Sequence, residues 1–124
     1  MDRPAARVRA YYRALDERDY EALADRLAPG FVQERPDLTL EGRERFLRFM
    51  REERPRTDTT HAVDAVYVAE APSGSDSGSD GESSRTEVAV RGRLLGDDGD
   101  RLFRFVDVFV AGETCFLRLD TYTQ

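Results

Sequence analysis

Apolar residues near the start of the chain recur at the spacing of an α-helix. Intervals of three and four residues place Val8, Tyr11, Tyr12 and Leu15 on one face. Asp2 is the predicted cap of this helix, and Pro4 lies near its first helical position. The polar run Asp16–Arg18 ends the apolar stripe, so the first helix is expected to end there.

The next stretch predicts a second helix, a short strand and a third helix. Asp19 is the expected cap of a helix over Tyr20–Ala28, which Pro29–Gly30 ends. A short strand is predicted over Phe31–Glu34, followed by a polar turn. The third helix is predicted over Arg43–Glu53, with apolar residues on one face and Arg and Glu on the other.

The second half of the chain changes to strand patterns. The predicted strands are Thr59–Ala71, Arg85–Leu95, Leu102–Val110 and Thr114–Tyr122. Between the first two lies Ser73–Ser84, with six Ser, three Gly, two Asp, one Glu and no apolar residue. Such a segment cannot bury apolar surface, so we expect a disordered, solvated loop. No repeat or second domain is evident, so residues 1–124 are predicted to form one domain.

The order of these elements predicts an α+β fold, with three N-terminal helices on one face of a curved, mostly antiparallel sheet. The strand Leu102–Val110 is apolar on both faces, with Phe103, Phe105 and Phe109 on one of them. The helices would cover only that face. A second copy of the chain is the simplest cover for the other, which predicts a homodimer through the sheet. The alternative is a strongly bent sheet without a partner.

Composition excludes several classes of function. The net charge of −6 lacks the basic footprint of a nucleic-acid-binding protein. No apolar run is long enough for a membrane span, and the first residues lack the apolar stretch of a signal peptide. A single Cys fits a reducing cytoplasm, and Cys115 is expected to be a small core residue. One His and one Cys argue against a zinc site, and no cofactor is expected.

All 19 basic residues are Arg, and the chain contains no Lys. This acidic composition resembles that of proteins from salt-loving archaea, in which dense carboxylates keep the surface hydrated while salt screens their charge. The composition therefore predicts a haloarchaeal, halophilic protein. The alternative is a GC-rich genome that favours Arg codons.

The layout resembles the nuclear-transport-factor-2-like superfamily, which includes ketosteroid isomerases and small polyketide cyclases of the SnoaL type. The matching stretches are Val8–Leu23, Leu27–Val32, Leu40–Leu47, Phe105–Phe109 and Leu119–Tyr122. The resemblance covers nearly the whole chain and implies a cone-shaped α+β barrel. Such a cone encloses a deep, mostly apolar pocket, although one fold carries many functions.

The isomerases of this superfamily hold a substrate oxyanion with a Tyr of the first helix and a protonated Asp of the penultimate strand. By resemblance these positions are Tyr11 and Asp107. Their general base is an Asp directly before a Pro, where this chain has Arg35 before Pro36. A guanidinium cannot abstract a proton. Glu34 is one position away, and a shift of one residue along a strand turns a side chain to the other face.

Other residues complete the predicted site. His61 is a candidate base or a residue of the sheet edge, and Asp107, on a Phe-rich face, is a neutral hydrogen-bond donor or a structural acid. Because Tyr11 and Tyr12 are adjacent, only one is expected to point straight into the core. The predicted ligand contacts are Tyr12, Glu34, Arg35, Phe105 and Tyr122. Tyr122 is assigned to the same strand face as Phe116, Arg118 and Asp120.

The charged residues near this site allow two interpretations. Arg35, Arg104, Arg118 and Asp120 form either a pocket mouth that selects an anion such as a carboxylate, or a set of surface ion pairs.

Two functions are compatible with these residues. The first is a pocket for a small apolar or carbonyl-containing ligand, with acid–base chemistry in which Asp107 and Tyr11 hold an oxyanion and His61 or Glu34 is the base. The second is a non-catalytic module for ligand sensing or dimerisation. Arg35, in place of an acid, argues against a family-type isomerase, whereas Asp107 favours a ligand pocket.

Overall fold

The computed structural model of the chain describes residues 3–54, 58–70 and 85–124. Its helices are α1 (Pro4–Asp16), α2 (Tyr20–Asp25) and α3 (Arg43–Arg48), and α3 continues into a π-helical turn over Phe49–Glu53. Its strands are β1 (Leu27–Glu34), β2 (Thr39–Glu41), β3 (Thr60–Glu70), β4 (Thr86–Leu95), β5 (Arg101–Ala111) and β6 (Phe116–Thr123). This order confirms the predicted α+β class. The predicted loop Ser73–Ser84 lies outside the described residues.

The starts of the first two helices follow local sequence signals. Pro4 begins α1, as expected of a residue that lacks an N–H. Arg3 occupies the cap position without a side-chain hydrogen bond, and the predicted cap Asp2 lies outside the described residues. Asp19 caps α2 as predicted, because its carboxylate accepts a hydrogen bond from the Ala22 N–H at 3.2 Å.

The second helix is shorter, and the first strand longer, than the sequence predicts. α2 ends at Asp25 and not at Ala28, and β1 begins at Leu27 and not at Phe31. The strand forms here because Leu27 pairs with Phe116 of β6, a partner about ninety positions away that local periodicity cannot reveal. The short strand β2, which the sequence did not predict, pairs antiparallel with the end of β1.

The predicted third helix has the expected extent but changes its winding. Arg43–Arg48 is α-helical, and the following residues to Glu53 form the π turn. Phe49 and Met50 of this turn are buried in the core. A π turn inside a helix is often found at functional sites, and this one delivers Arg54 to the cavity described below.

The six strands form one sheet in the order β2-β1-β6-β5-β4-β3. Every neighbouring pair is antiparallel except β1 and β6, which run parallel. A parallel pair needs a long crossover connection, and here all the elements from β2 to β5 lie between the two strands in sequence. The sheet is therefore mostly antiparallel, as predicted.

Alternation along β5 separates the two faces of the sheet. Phe105, Asp107 and Phe109 are buried on the inner face, where they join the residues of α1 and α3 in one core. Val106 is 38% exposed on the outer face. Among the residues that the structure describes, the other large apolar ones with substantial exposure are Tyr67, Val68, Leu102 and Tyr122. The predicted assignment of the Phe residues of this strand to a single face is confirmed.

A glycine in β4 makes room for an aromatic ring on the inner face. Gly92 pairs with Phe105 of β5. A Cβ atom at position 92 would lie 2.6 Å from the Ala62 carbonyl oxygen and 2.6 Å from Cζ of Phe105. Neither approach is sterically allowed without a shift, so glycine permits the close packing of the Phe105 ring over the sheet.

Candidate functional site

A cavity of about 220 Å³ lies between α1, the π turn and the inner face of the sheet. Its apolar lining includes Leu15, Met50, Leu94, Phe103 and Phe105, together with the rings of Tyr11 and Tyr12. The polar side chains that reach it are Gln33, Arg35, Arg54, Thr59, His61, Asp107, Thr121 and Thr123. A mostly apolar space with a few converging polar groups is typical of a small-molecule site.

Asp107 is the buried carboxyl of this cavity and is only 6% exposed. The hydroxyl of Tyr12 donates a hydrogen bond to its Oδ2 at 2.6 Å. The hydroxyl of Thr121, the residue opposite Asp107 on β6, donates to Oδ1 at 2.7 Å. Each carboxyl oxygen therefore has an internal partner, which is what a buried polar group requires.

The hydrogen bonds of Asp107 continue along β1 towards a positive charge. Nε2 of Gln33 donates to Oγ1 of Thr121 at 2.9 Å. Nη1 of Arg35 approaches Oε1 of Gln33 at 3.4 Å, a long contact. Gln33 is 3% exposed, so its amide is fixed by these partners. The chain of bonds orients Thr121 and links the carboxyl to the guanidinium of Arg35.

His61 and Asp16 form a second hydrogen-bonded pair on another wall. Nδ1 of His61 lies 2.6 Å from Oδ1 of Asp16, at the end of α1, and the His61 backbone N–H donates to Oδ2 of the same carboxylate at 3.0 Å. An ionised carboxylate only accepts hydrogen bonds, so Nδ1 carries the proton. Nε2 is then the ring nitrogen available to a ligand. The ring also stacks at a tilt on Tyr12, with centroids 5.0 Å apart.

Tyr11 and Tyr12 are both buried, although the sequence analysis expected only one to face the core. They are 2% and 3% exposed, and their rings meet edge to face at 5.1 Å. Adjacent residues of a helix point about 100° apart around its axis. Both rings are nevertheless buried, because aromatic side chains of the core lie on either side of this part of α1. Tyr11 packs on Phe46 and Phe116, whereas Tyr12 packs on Phe105.

Burial is the largest cause of the pKa shifts of Asp107, Tyr11 and Tyr12. It raises the pKa of Asp107 above its ordinary value of 3.8, against the hydrogen bonds from Tyr12 and Thr121, which lower it. Burial also raises the pKa of both tyrosines, and the charge of Asp107 adds to that effect. Both phenols therefore stay protonated at neutral pH and act as hydrogen-bond donors.

The described residues contain neither a helix that could cross a membrane nor a cluster of metal ligands. None of their helices combines the length and the apolar character that a bilayer span requires. No three His, Cys, Asp or Glu side chains among them converge as a metal site would need. Cys115 is half-buried, with its thiol 3.9 Å from the Asp25 carbonyl oxygen.

The SnoaL-like domain family matches residues 8–111, from α1 to the end of β5. The chain belongs to the SnoaL-like family. No curated protein matches it.

Solved structures support the same fold for this SnoaL-like protein. A nuclear-transport-factor-2-like protein of unknown function from Cytophaga hutchinsonii has a TM-score of 0.72 at 15% identity, over 100% of this chain and 92% of that one. A candidate polyketide cyclase from Sinorhizobium meliloti has a TM-score of 0.70 at 19% identity, over 94% of each chain. A candidate ketosteroid isomerase from Kribbella flavida has a TM-score of 0.62 at 24% identity, over 96% of this chain and 76% of that one. At these identities the likeness shows the fold alone.

Six of the predicted site residues line the cavity of the SnoaL-like fold. They are Tyr11, Tyr12, Arg35, His61, Phe105 and Asp107. The partner of Asp107 differs from the expectation, because the hydroxyl that donates to it belongs to Tyr12 and not to Tyr11. Among the described residues, none accepts a hydrogen bond from the Tyr11 hydroxyl.

Glu34 and Tyr122, also predicted as ligand contacts, do not line this cavity. They border a shallower groove on the outer side of the sheet, and Tyr122 is 58% exposed. Glu34 alternates with Gln33 and pairs there with Arg118 at 3.4 Å. The assignment of Tyr122 to the face of Phe116 was wrong because the pairing of β5 with β6 shifts between Val110 and Ala111. One extra residue in β6 then turns the rest of the strand over.

Sequence reasoning missed six polar residues of the SnoaL-like cavity region, namely Asp16, Gln33, Arg54, Thr59, Thr121 and Thr123. Asp16 was assigned only to the end of a helix, and nothing local connects it to His61, 45 positions away. Gln33 and Thr121 carried a weak signal. Each is a polar residue on the inner face of a strand, but only the pairing of β1 with β6 brings them together.

Proposed function

We propose that this SnoaL-like protein binds a small, largely apolar molecule that carries a carbonyl or phenolic oxygen. The observation that carries the proposal is the buried Tyr12–Asp107 pair, with a 2.6 Å hydrogen bond, in the wall of a mostly apolar cavity. A polar pair of this kind in a site sheltered from water fixes the oxygen of a ligand more strongly than it would in water. The names of solved relatives, a polyketide cyclase and a ketosteroid isomerase, are consistent with such a ligand.

The size of the cavity restricts the ligand further. Its volume of about 220 Å³ exceeds that of a cavity of roughly 150 Å³ that holds benzene. It is smaller than the roughly 300–1,000 Å³ of pockets for drug-sized molecules. The proposed ligand is therefore a molecule of one or two rings and not a four-ring steroid.

Acid–base chemistry is the activity that these residues support best. His61, held by Asp16, would accept through Nε2 a proton from the carbon next to a carbonyl. With Asp107 protonated, its carboxyl would donate to the Tyr12 oxygen, which leaves the Tyr12 hydroxyl proton for the oxygen of the resulting enolate. Tyr11 would be a second phenol in the same cavity. His61 would then return the proton. Glu34, the other predicted base, has no place in this scheme because it faces the outer groove.

A non-catalytic ligand sensor is the second candidate. It is favoured by the partners of Asp107, whose two oxygens already accept hydrogen bonds from Tyr12 and Thr121. A carboxyl so occupied serves to position Tyr12 without exchanging protons with a ligand. Both functions require binding, and only the first requires proton transfer from carbon.

Binding of acetophenone and of ethylbenzene tests the proposal, because the two molecules have similar shapes and differ in the carbonyl oxygen. We expect both to shift amide resonances around the cavity in a saturable way. Tyr12→Phe should weaken acetophenone binding about fivefold, as one hydrogen bond is worth roughly 1 kcal/mol, and should leave ethylbenzene unaffected. Tyr67→Phe on the outer face is the matched control, and equal effects of the two variants would contradict the proposal.

Exchange of the acetophenone methyl protons in D₂O separates an enzyme from a sensor in the same samples. An enzyme should exchange them faster than buffer, and His61→Gln should reduce the rate towards the buffer value. Exchange at the buffer rate, with binding intact, would favour the sensor.

The proposal also includes a homodimer through the outer face of the sheet. Val106 and Tyr122 are opposite each other there and are 38% and 58% exposed, an apolar surface that a second copy would cover. We expect sedimentation to give twice the chain mass of 14.1 kDa, and Val106→Glu to give the monomer. A wild-type mass near that of one chain would contradict the dimer.

Several wider expectations rest on composition or on resemblance. The cone shape, the single domain over residues 1–124, the cytoplasmic location and the halophilic character all stay predictions. They are compatible with the proposed binding function and are not needed for it.

A further inference from the structure

Three buried polar atoms at the cavity form no hydrogen bond with any residue that the structure describes. They are Nη2 of Arg54, Nε of Arg35 and Oγ1 of Thr59. All three side chains line the cavity. Leaving a buried donor without an acceptor is costly, and more so when the donor is charged. These groups are distinct from the Tyr12–Asp107 and His61–Asp16 pairs.

Arg54 is held in place by the π turn, while its Nη2 has no hydrogen-bond partner in the described part of the chain. Its backbone N–H donates to the Phe49 carbonyl at 2.9 Å, and Nε lies 3.3 Å from the Met50 carbonyl oxygen. Both acceptors belong to the π turn, which thereby anchors the side chain. Within the described parts of the chain, no carboxylate forms an ion pair with Arg54.

Arg35 is also only partly satisfied. Its guanidinium carbon lies 4.9 Å over the ring of Phe49, which keeps the group near the π turn. Its carboxylate neighbour, Asp37, is 3.6 Å from Nε and 70% exposed, so this ion pair is weak. The long contact with Gln33 uses only Nη1. Two guanidinium groups therefore contribute positive charge to one small cavity, and Asp107 is the single carboxyl among the described residues that line it.

We propose that the ligand of this cavity is a small aromatic monocarboxylate, whose carboxylate binds Arg54 and Arg35 and accepts a hydrogen bond from Thr59. The planar guanidinium fork matches a carboxylate, and charge-assisted hydrogen bonds of this type are about twice as strong as neutral ones. The ring would lie against Leu15, Met50 and Phe105. This inference rests on the proposed binding function and specifies its class of ligand.

Benzoate and acetophenone make a matched pair of probes, because they share the ring and differ mainly in the charge of the group attached to it. At pH 7 we expect the wild-type protein to bind benzoate at least tenfold more tightly than acetophenone by calorimetric titration. Arg54→Met should remove this preference, because it should weaken benzoate binding much more than acetophenone binding. Thr59→Val, a variant of the same shape, should reduce the preference severalfold.

Arg51→Met is the control, since Arg51 lies in the same π turn but is exposed and faces Glu52 at 3.3 Å. It should keep the full preference. If acetophenone binds and benzoate binds no more tightly, or if Arg51→Met abolishes the preference as Arg54→Met does, the carboxylate inference is wrong and the proposed function stands. If neither probe binds, both are wrong.

Discussion

Replacing Phe109 with alanine is expected to lower the free energy of unfolding by about 3–5 kcal/mol. Phe109 is fully buried, and its ring lies 4.8 Å from that of Phe116, 5.1 Å from Tyr11 and 5.9 Å from Tyr12. The variant loses the transfer free energy of the ring and leaves a hole that the surrounding side chains of α1 and β6 cannot easily close. Urea denaturation followed by circular dichroism measures the change.

Phe103→Ala is the matched control for this prediction. Phe103 lies on the same strand and the same face as Phe109, but it is half-buried at the cavity. Part of its ring already contacts solvent or empty space, so its removal should cost clearly less. If the two variants lose the same unfolding free energy, Phe109 is not more deeply buried than Phe103, and the structure is contradicted on this point.

Replacing Asp107 with asparagine is expected to change how stability depends on pH. Burial raises the pKa of Asp107 in the folded protein above 3.8, so the folded state binds this proton more tightly than the unfolded chain does. As pH rises from 3.8 through the folded pKa, the wild-type protein therefore loses stability at this site. The slope approaches about 1.4 kcal/mol per pH unit for one proton.

The asparagine variant has no such proton, so the difference in unfolding free energy between variant and wild type should rise with pH across that window and then level off. Chemical denaturation at a series of pH values measures this difference. The fold should persist, because an amide oxygen still accepts from one hydroxyl, and acetophenone binding should weaken. A difference that does not change with pH would show that Asp107 has an ordinary pKa.

Asp64→Asn provides the control of opposite sign. Asp64 is a surface residue on β3 whose hydrogen bonds to Arg93, the shortest 2.7 Å, lower its pKa. Its contribution to stability is therefore present above pH 3.8 and lost as pH falls. Replacing it should make the variant-minus-wild-type difference fall with rising pH, so the two variants together separate a buried acid from a paired surface acid.

Local sequence pattern correctly predicted the elements whose formation depends on residues close together in the chain. The apolar stripe of α1, the cap at Asp19 and the alternation of β5 all follow from helix or strand geometry, and the structure has them as predicted. The strand Leu27–Glu34 began earlier than expected because its partner is remote in sequence. The same reason accounts for β2, whose three residues carry too little pattern to be recognised alone.

The sequence by itself determined the fold class, the buried face of β5 and the presence of an acid, Asp107, on that face. These are consequences of composition and of periods of two and about 3.6 residues. Tertiary structure alone decided which groups meet: Tyr12 and not Tyr11 on Asp107, Asp16 on His61, Gln33 on Thr121, and Arg54 beside the cavity. Hydrogen bonds depend on distances of a few tenths of an ångström between residues as many as 95 positions apart. Strand register and one irregularity in β6 set those distances, and no local pattern encodes them.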